Sequence, residues 1–413
     1  MKTKTATGLG YRKGEDDYLI AVVDSPLDIA GAEWNGLLAH QADATPFMRH
    51  EYLAAMSESA SASPKTGWTA RFITLRVRDK NSPANGPGLV AACALYFKDH
   101  SYGEYVFDHA WANAYRQHGV PYYPKALVAP PFTPVPGTRL LARDDATREA
   151  LARALIAWCD DTGLSSLHLL FASDADVAAC SAAGMMLRHN VQFHWTNRDR
   201  GYADFEQFLA SLSQDKRKKI RQERRKVEQA GVSFRSSLGE DIRPQDWDFF
   251  YRCYERTYYE HGNAPYLSRD FFRRMARTMP RNWLLFVAER EGEPIAASLI
   301  AVNDPGTGSS TSKVAYGRYW GALERVDCLH FEACYYQPLQ WCIDHGYRRF
   351  EGGAQGEHKM ARALLPVKTT SAHWLAHPGF AEAVQNFLTR EGAGMANYME
   401  ELEQRNPFKA TPE

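Results

Sequence analysis

No segment of this 413-residue chain holds the run of ~18 or more apolar residues that a membrane-spanning helix needs. The opening residues, MKTKTATGLGYRKGEDD, lack the apolar stretch of a secretory leader, so a cytoplasmic location is expected. Net charge is missing too. The 49 Lys and Arg balance 49 Asp and Glu, which excludes a whole-chain attraction to nucleic acid or an anionic membrane and leaves only local patches. Cysteine is sparse and unpatterned. Cys93, Cys159, Cys180, Cys253, Cys328, Cys334 and Cys342 form no C-x-x-C pair, and most lie in apolar stretches such as LVAACAL and FEACYYQ. That argues against a disulfide framework or a zinc site and predicts reduced, buried thiols. His373 and His377 are four residues apart, but Pro378 follows at once and no third ligand is near. Both read as structural, and no metal is expected.

What is present is ordinary for a globular protein: 45% hydrophobic and 24% charged residues. The length suits two or three domains at ~100–200 residues each. Residues 17–23 read as a strand, and two helical stretches follow up to Ala60. The β-rich runs at 70–79 and 88–99 flank the turn-rich NSPANGPG and read as a long hairpin. Residues 102–108 suit another strand, and the proline-rich 121–137 an extended strand running into a loop. An amphipathic helix is expected over 146–162, ended by Gly163, and then a strand LSSLHLLF.

The second half repeats this order. Strand VSFRSSL precedes helices at 244–262 and 268–279, a hairpin at 282–303 and a strand over 311–320. A helix over 328–345, kinked at Pro338, and a strand YRRFEGG complete it. Trp158-Cys159-x-Asp161-x-Gly163 matches Trp341-Cys342-x-Asp344-x-Gly346, each at the end of the helix before a short strand, which suggests a duplication. Tyr102-Gly103-x-Tyr105 also matches Tyr316-Gly317-x-Tyr319, at a different spacing from the first pair. Between the halves, residues 203–230 form one long polar helix or a helix pair.

Four segments carry candidate chemistry. The joining helix bears Lys216, Arg217, Lys218, Lys219, Arg221, Arg224, Arg225 and Lys226. It is either a solvated face, with Glu223 and Glu228 as partners, or a clamp for a polyanion such as CoA phosphates, a nucleotide-linked lipid precursor or tRNA; Lys216, Arg217, Lys219 and Arg221 are the clamp candidates. Arg318-x-x-Gly321-Ala322 is expected in a strand-to-helix loop, where free backbone N–H groups suit a pyrophosphate; the alternative is an ordinary turn. In Gly352 to Arg362, titratable groups crowd beside small residues. Glu357 or His358 suits proton transfer and Lys359 or Arg362 an acidic group, against the reading of a polar surface loop. Glu332 lies in the aromatic run HFEACYY, as a half-buried base or as a carboxylate paired with Arg318 or Lys368.

These segments resemble the FemAB-like predicted N-acyltransferases of the GNAT superfamily. The resemblance rests on Pro46-Phe47-Met48 with His50, on His100 through Asp108, on Tyr122-Tyr123-Pro124-Lys125, on Pro131 through Val135, on Tyr316 through Trp320, and on Gly353 through Trp374. It implies an α/β chain of the α+β type with two tandem GNAT-like domains, each a mixed, mostly antiparallel sheet flanked by helices. The expected division is residues 1–200, a basic connector at 201–230, and residues 231–413 carrying the active site. The implied activity is transfer of an acyl or aminoacyl group, from acyl-CoA or aminoacyl-tRNA, to an amine on a small molecule such as an amino-acid derivative or on an envelope (peptidoglycan) precursor. The alternative is a non-catalytic recognition module on the same scaffold. Glu357, His358 and Glu332 are the catalytic candidates. Arg318, Tyr319, Gly321 and Ala322 are the donor-binding candidates. Asp108, Tyr123, Lys125, Lys359, Arg362 and Lys368 are the acceptor candidates. The GNAT tyrosine that protonates the leaving thiolate has no counterpart in 354–365, which leaves His358, Tyr335, Tyr336 or solvent for that task.

Overall fold

A computed structural model of the protein describes residues 9–13, 16–78, 87–303, 313–354 and 356–409. The chain forms two compact units, residues 1–190 with 369–395, and residues 191–368 with 396–413. Neither unit is one continuous stretch. Strand Met186–Thr196 leaves the first for the second, and strand Leu365–Leu375 returns.

In the first unit the expected hairpin forms: Phe72–Arg78 runs antiparallel to Pro87–Cys93. Most of its turn, NSPANGPG, lies outside the described residues. The pair joins Leu9–Lys13, Asp16–Val23 and Leu141–Ala142 in an antiparallel sheet. A second set of strands runs Trp68–Ala70, Leu95–Lys98, Lys125–Val128, Ser166–Ala172 and then 369–375. Lys125–Val128 and Ser166–Ala172 are parallel, which requires a crossover. Helix Asp145–Asp161 supplies it, and its Leu151 and Leu155 pack with Leu95, Val128 and Leu167. Each such buried leucine stabilises the fold by roughly 1.5–3 kcal/mol.

The second unit repeats the plan. Val232–Leu238, Trp283–Arg290, Glu293–Val302 and Val314–Ala322 are successive antiparallel neighbours. Arg349–Glu351 then pairs parallel with Val314–Ala322, and 194–196 pairs antiparallel with Arg349–Glu351. The duplicated Trp-Cys-x-Asp-x-Gly signature has one structural meaning in both places. Gly163 and Gly346 take left-handed φ of 70° and 69°, as a helix-ending residue does. Leu164 N–H bonds back to Cys159 O and Tyr347 N–H to Cys342 O, closing the same cap ahead of each parallel strand.

Three local expectations change. Residues 102–108 form turns, not a strand, with Tyr105 at φ 64°. Ser101, Glu104 and Asp108 are drawn inward onto the one buried Lys125 ammonium; in an extended strand Glu104 and Asp108 would share a face but stand ~13 Å apart, too far to meet at one nitrogen. The second Tyr-Gly likeness is therefore coincidental, because Tyr316 to Tyr319 does lie in a strand. The helix expected to kink at Pro338 instead widens before it: Glu332–Tyr336 is a π-turn in which Gln337 N–H reaches Glu332 O. Widening relieves the clash of a proline ring with the carbonyl four residues back, here Cys334. Residues 203–230 resolve as a helix pair within the second unit, Phe205–Ser211 and Gln214–Gln229. All seven cysteines are free, five of them buried and Cys328 and Cys334 partly so.

Candidate active site

The parallel pair of the second unit organises a site. Val314–Ala322 and Arg349–Glu351 are in register only at Val314–Arg349, Ala315–Phe350 and Tyr316–Glu351. The shorter strand then ends, while the longer continues to Ala322 with no strand on that side among the described residues. Its backbone groups there are left to other partners. At the branch point a β-carbon on Gly317 would lie 3.2 Å from the Phe350 ring and 3.3 Å from Glu351 O, so a small residue lets the two strands meet before parting. On the opposite edge the register slips between Leu299 and Ile300, which face Tyr319 and Gly317 and leave Arg318 as the extra residue of a β-bulge. A bulge re-aims the side chain it carries.

Arg318 lines a cleft of about 310 Å³ with Tyr254, Thr257, Tyr258, His261, Asn263, Tyr319 and Trp320. Its guanidinium lies 4.9 Å from the Tyr319 ring centroid, and Nη2 donates to Tyr319 Oη at 3.3 Å. Helix Pro244–Glu260 forms the facing wall, and Thr257 Oγ1 donates to Trp320 O at 3.0 Å. Burial pushes the Tyr258 phenol up to about 12 and Tyr254 well above its usual range, so both stay neutral.

This placement corrects the reading of Arg318 to Ala322 as a strand-to-helix loop. All five residues lie inside the strand, and the next helix begins only at Leu329. Gly321 is small for a packing reason: a β-carbon there would sit 1.9 Å from Cys253 O of the facing helix.

Beyond the π-turn, Tyr335 Oη lies 3.2 Å from His358 Nε2. Burial raises the Tyr335 phenol. Partial burial, then the charges of Lys359 and Arg362, lower the His358 imidazole, so it is neutral over a wider pH range than an ordinary histidine. Arg362 lies 3.5 Å over the Phe331 ring and forms a buried two-pronged pair with Glu223 at 3.1 and 2.9 Å. Tyr336 Oη donates to the same Glu223. Lys359 Nζ caps Gly353 O and Ala354 O at 3.1 and 2.5 Å, and burial brings it down to about 8.

The other candidates fall elsewhere. Glu357 is exposed and accepts from Tyr398 Oη at 2.7 Å and Arg405 Nη1 at 3.0 Å, away from the Tyr335–His358 pair. Glu332 is buried, paired neither with Arg318 nor with Lys368 but with Arg224 at 3.1 Å, and it accepts from Gln337 at 2.7 Å. Lys368 is exposed on strand Leu365–Leu375. Helix Gln214–Gln229 turns Glu223 and Arg224 inward. Arg217 donates to Leu212 O at 3.4 Å, Arg221 pairs with Glu206 and Lys226 with Asp327, while Lys216, Lys218, Lys219 and Arg225 pair with no acid among the described residues.

The motifs of the first unit also converge, but inward. Lys125 is fully buried and donates to Ser101 at 2.8 Å, Glu104 at 2.7 Å and Asp108. Tyr122 Oη donates to Asp108 at 2.7 Å, and Tyr123 Oη lies 2.9 Å from Ser101 Oγ. Asp108 and Lys125, expected at a ligand, therefore hold each other, while Tyr123 lines a cleft of about 610 Å³ with His109 and Arg116. Sequence reading missed the cleft wall Tyr254, Thr257 and Tyr258. Phe250, Tyr254 and Tyr258, spaced four apart, have the pattern of a buried helix face.

Among the described residues no helix is long and apolar enough to cross a membrane. No curated protein sequence matches the chain. Among solved structures, FemX aligns at 11% identity with a TM-score of 0.50 over 86% of this chain and 98% of its own. The C-terminal domain of a protein assigned as a lysylphosphatidylglycerol synthetase from Agrobacterium fabrum aligns at 10% identity and TM-score 0.50, over 85% and 93%. A tandem GNAT protein from the clavulanic acid biosynthesis pathway aligns at 14% identity and TM-score 0.44, over 87% and 99%. At these identities the likeness to the first two concerns the fold alone. The FemAB_like family model, described as peptidoglycan biosynthesis/recognition, matches residues 25–410. The chain is a member of the FemAB_like family.

Proposed function

We propose that the protein is an N-acyltransferase that moves an acyl or aminoacyl group from acyl-CoA or aminoacyl-tRNA to an amine, within envelope-precursor chemistry. One observation carries this reading: the parting of Val314–Ala322 from Arg349–Glu351 after three residue pairs. It leaves a strand edge on which backbone N–H groups can hold the oxyanion of an attacked carbonyl. The amine nitrogen attacks the acyl carbon, the new C–N bond forms, and the thioester C–S or aminoacyl-ester C–O bond breaks. His358 takes the proton lost by the amine, and Tyr335, hydrogen-bonded to it, protonates the leaving sulfur or oxygen. Tyr335 thus stands in for the tyrosine that residues 354–365 lack. Phosphates of the donor fall to Lys216, Lys218, Lys219 and Arg225, which pair with no acid among the described residues.

The test is transfer from acetyl-CoA, longer acyl-CoAs or alanyl-tRNA to a panel of amines. Tyr335→Phe and His358→Ala should each lower kcat by about 10²-fold, the scale of a lost acid or base. Transfer at wild-type rate in both variants, or none from any donor, overturns the reading. The second outcome favours a recognition module.

A further inference from the structure

One helix links the cations assigned to donor phosphate with the acid–base pair. Helix Gln214–Gln229 carries those cations, and its opposite face buries Ile220, Glu223 and Val227 at the three-and-four spacing of a core stripe. Of the three acids on this helix, Asp215 and Glu228 are exposed and Glu223 is buried. A carboxylate in the middle of an apolar stripe costs desolvation unless it is paired and hydrogen-bonded. Glu223 is held by Arg362 and by Tyr336, and each of these belongs to a segment that carries one member of the Tyr335–His358 pair. We propose that Glu223 is the positioning residue of that pair: it clamps the His358 segment through Arg362 and the Tyr335 segment through Tyr336, so that the helix assigned to donor phosphate also sets the aim of the acid and the base. The inference rests on the acyltransferase reading and adds to it a residue that acts through others.

The first arm runs through Arg362. Its Nη2 donates to both oxygens of Glu223 at 3.1 and 2.9 Å, and its Nη1 donates to His358 O at 2.8 Å. One planar guanidinium thus ties the backbone of the base to a carboxylate on another helix, which a lysine ammonium would not do with the same geometry. The guanidinium also lies 3.5 Å over the Phe331 ring, which leaves it little room to turn. The second arm is shorter. Tyr336 Oη donates to Glu223, and Tyr336 closes the π-turn Glu332–Tyr336 that also carries Tyr335. Pinning one phenol fixes the stretch of backbone from which its neighbour reaches His358 Nε2 at 3.2 Å. The next residue of the helix, Arg224, holds the start of the same turn: it donates to Glu332 at 3.2 Å and to Gln340 at 3.0 Å. A well-packed apolar pair of similar volume would hold these segments together about as firmly as the Glu223–Arg362 pair. It would not fix a carbonyl and a phenol by directed hydrogen bonds.

The test uses the full chain with Glu223→Gln, Glu223→Asp and the double variant Glu223→Leu with Arg362→Met. Glu223→Gln keeps the size and loses the charge. It should lower kcat by about 10–10²-fold, the scale of a misplaced catalytic group, with the donor KM nearly unchanged. Glu223→Asp, which keeps the charge, should retain more of kcat. The double variant should regain the parent melting temperature and still have a low kcat, which a merely structural role would not give. A second readout needs no donor: modification of His358 by diethyl pyrocarbonate, followed by mass spectrometry, with the exposed His377 as reference. Loss of the clamp releases Nε2 from Tyr335, so His358 should react several-fold faster in Glu223→Gln while His377 keeps its rate. If Glu223→Gln does not fold, Glu223→Asp carries both readouts. Parent kcat in the single variants, recovery of kcat along with stability in the double variant, or an unchanged His358 rate overturns the proposal, and each leaves the acyltransferase reading intact. Faster modification of His358 in Glu223→Gln, with no transfer by the parent from any donor, would overturn that reading and spare the clamp.

Discussion

His358 is the residue whose surroundings make the sharpest prediction. Partial burial and the neighbouring charges of Lys359 and Arg362 lower its affinity for a proton. A base must be neutral to act, so activity should persist as pH falls below the ordinary histidine value of ~6.5 and fail only further down. Replacing Lys359 by Met removes one of those charges, and the acid limb of kcat/KM should then move to higher pH. A limb that stays in place would exclude His358 as the titrating group. Residue identity was the most legible level here. His358, Tyr335, Arg318, Lys359 and Arg362 all stood out as chemistry-bearing in sequence. Their partners did not, because Glu223 lies 139 positions from Arg362 and no local pattern joins them.

At the scale of elements, the cleft depends on how closely helix Pro244–Glu260 approaches strand Val314–Ala322. Gly321 sets that approach, since a methyl group there would overlap the Cys253 carbonyl. Backbone cannot give way as a flexible side chain does. Gly321→Ala should cost about 1–3 kcal/mol, the usual range for overpacking. Thermal unfolding of the variant beside the parent protein checks it. A variant with wild-type stability would show that the helix shifts freely. In sequence this glycine looked like part of a phosphate loop, because Arg-x-x-Gly is the same string whether the glycine admits a phosphate or a helix. The strand continues through Ala322 because its antiparallel pairing with Glu293–Val302 extends that far, a fact of pairing and not of local composition.

For the molecule as a whole, acid should be the weak side. His373 is fully buried and lies 5.0 Å from the Trp111 ring centroid, and its Nδ1 is 2.8 Å from Nδ1 of the buried His168. Burial pushes His373 down to about 3 and His168 well below its usual value. A group depressed in the folded state contributes stability that is present above its unfolded pKa and is lost as pH falls towards the folded one. For His373 that window runs from ~6.5 to about 3, at most ~1.4 kcal/mol per pH unit for each such histidine. Unfolding midpoints in urea should therefore fall from pH 6.5 downward, and less steeply in His373→Asn. Equal slopes would mean that His373 is already protonated in the fold. By itself the sequence determined the α+β class, the repeated order of elements and the two helix-ending Trp-Cys-x-Asp-x-Gly caps, because apolar period and cap chemistry are local properties of the chain. Only the tertiary structure decided that 369–375 completes the first unit, that Lys125 and Asp108 face each other, and that Arg318 faces a cleft. Each of these depends on strand pairing and burial between residues far apart in the chain, and such contacts leave no periodic trace in the residues that make them.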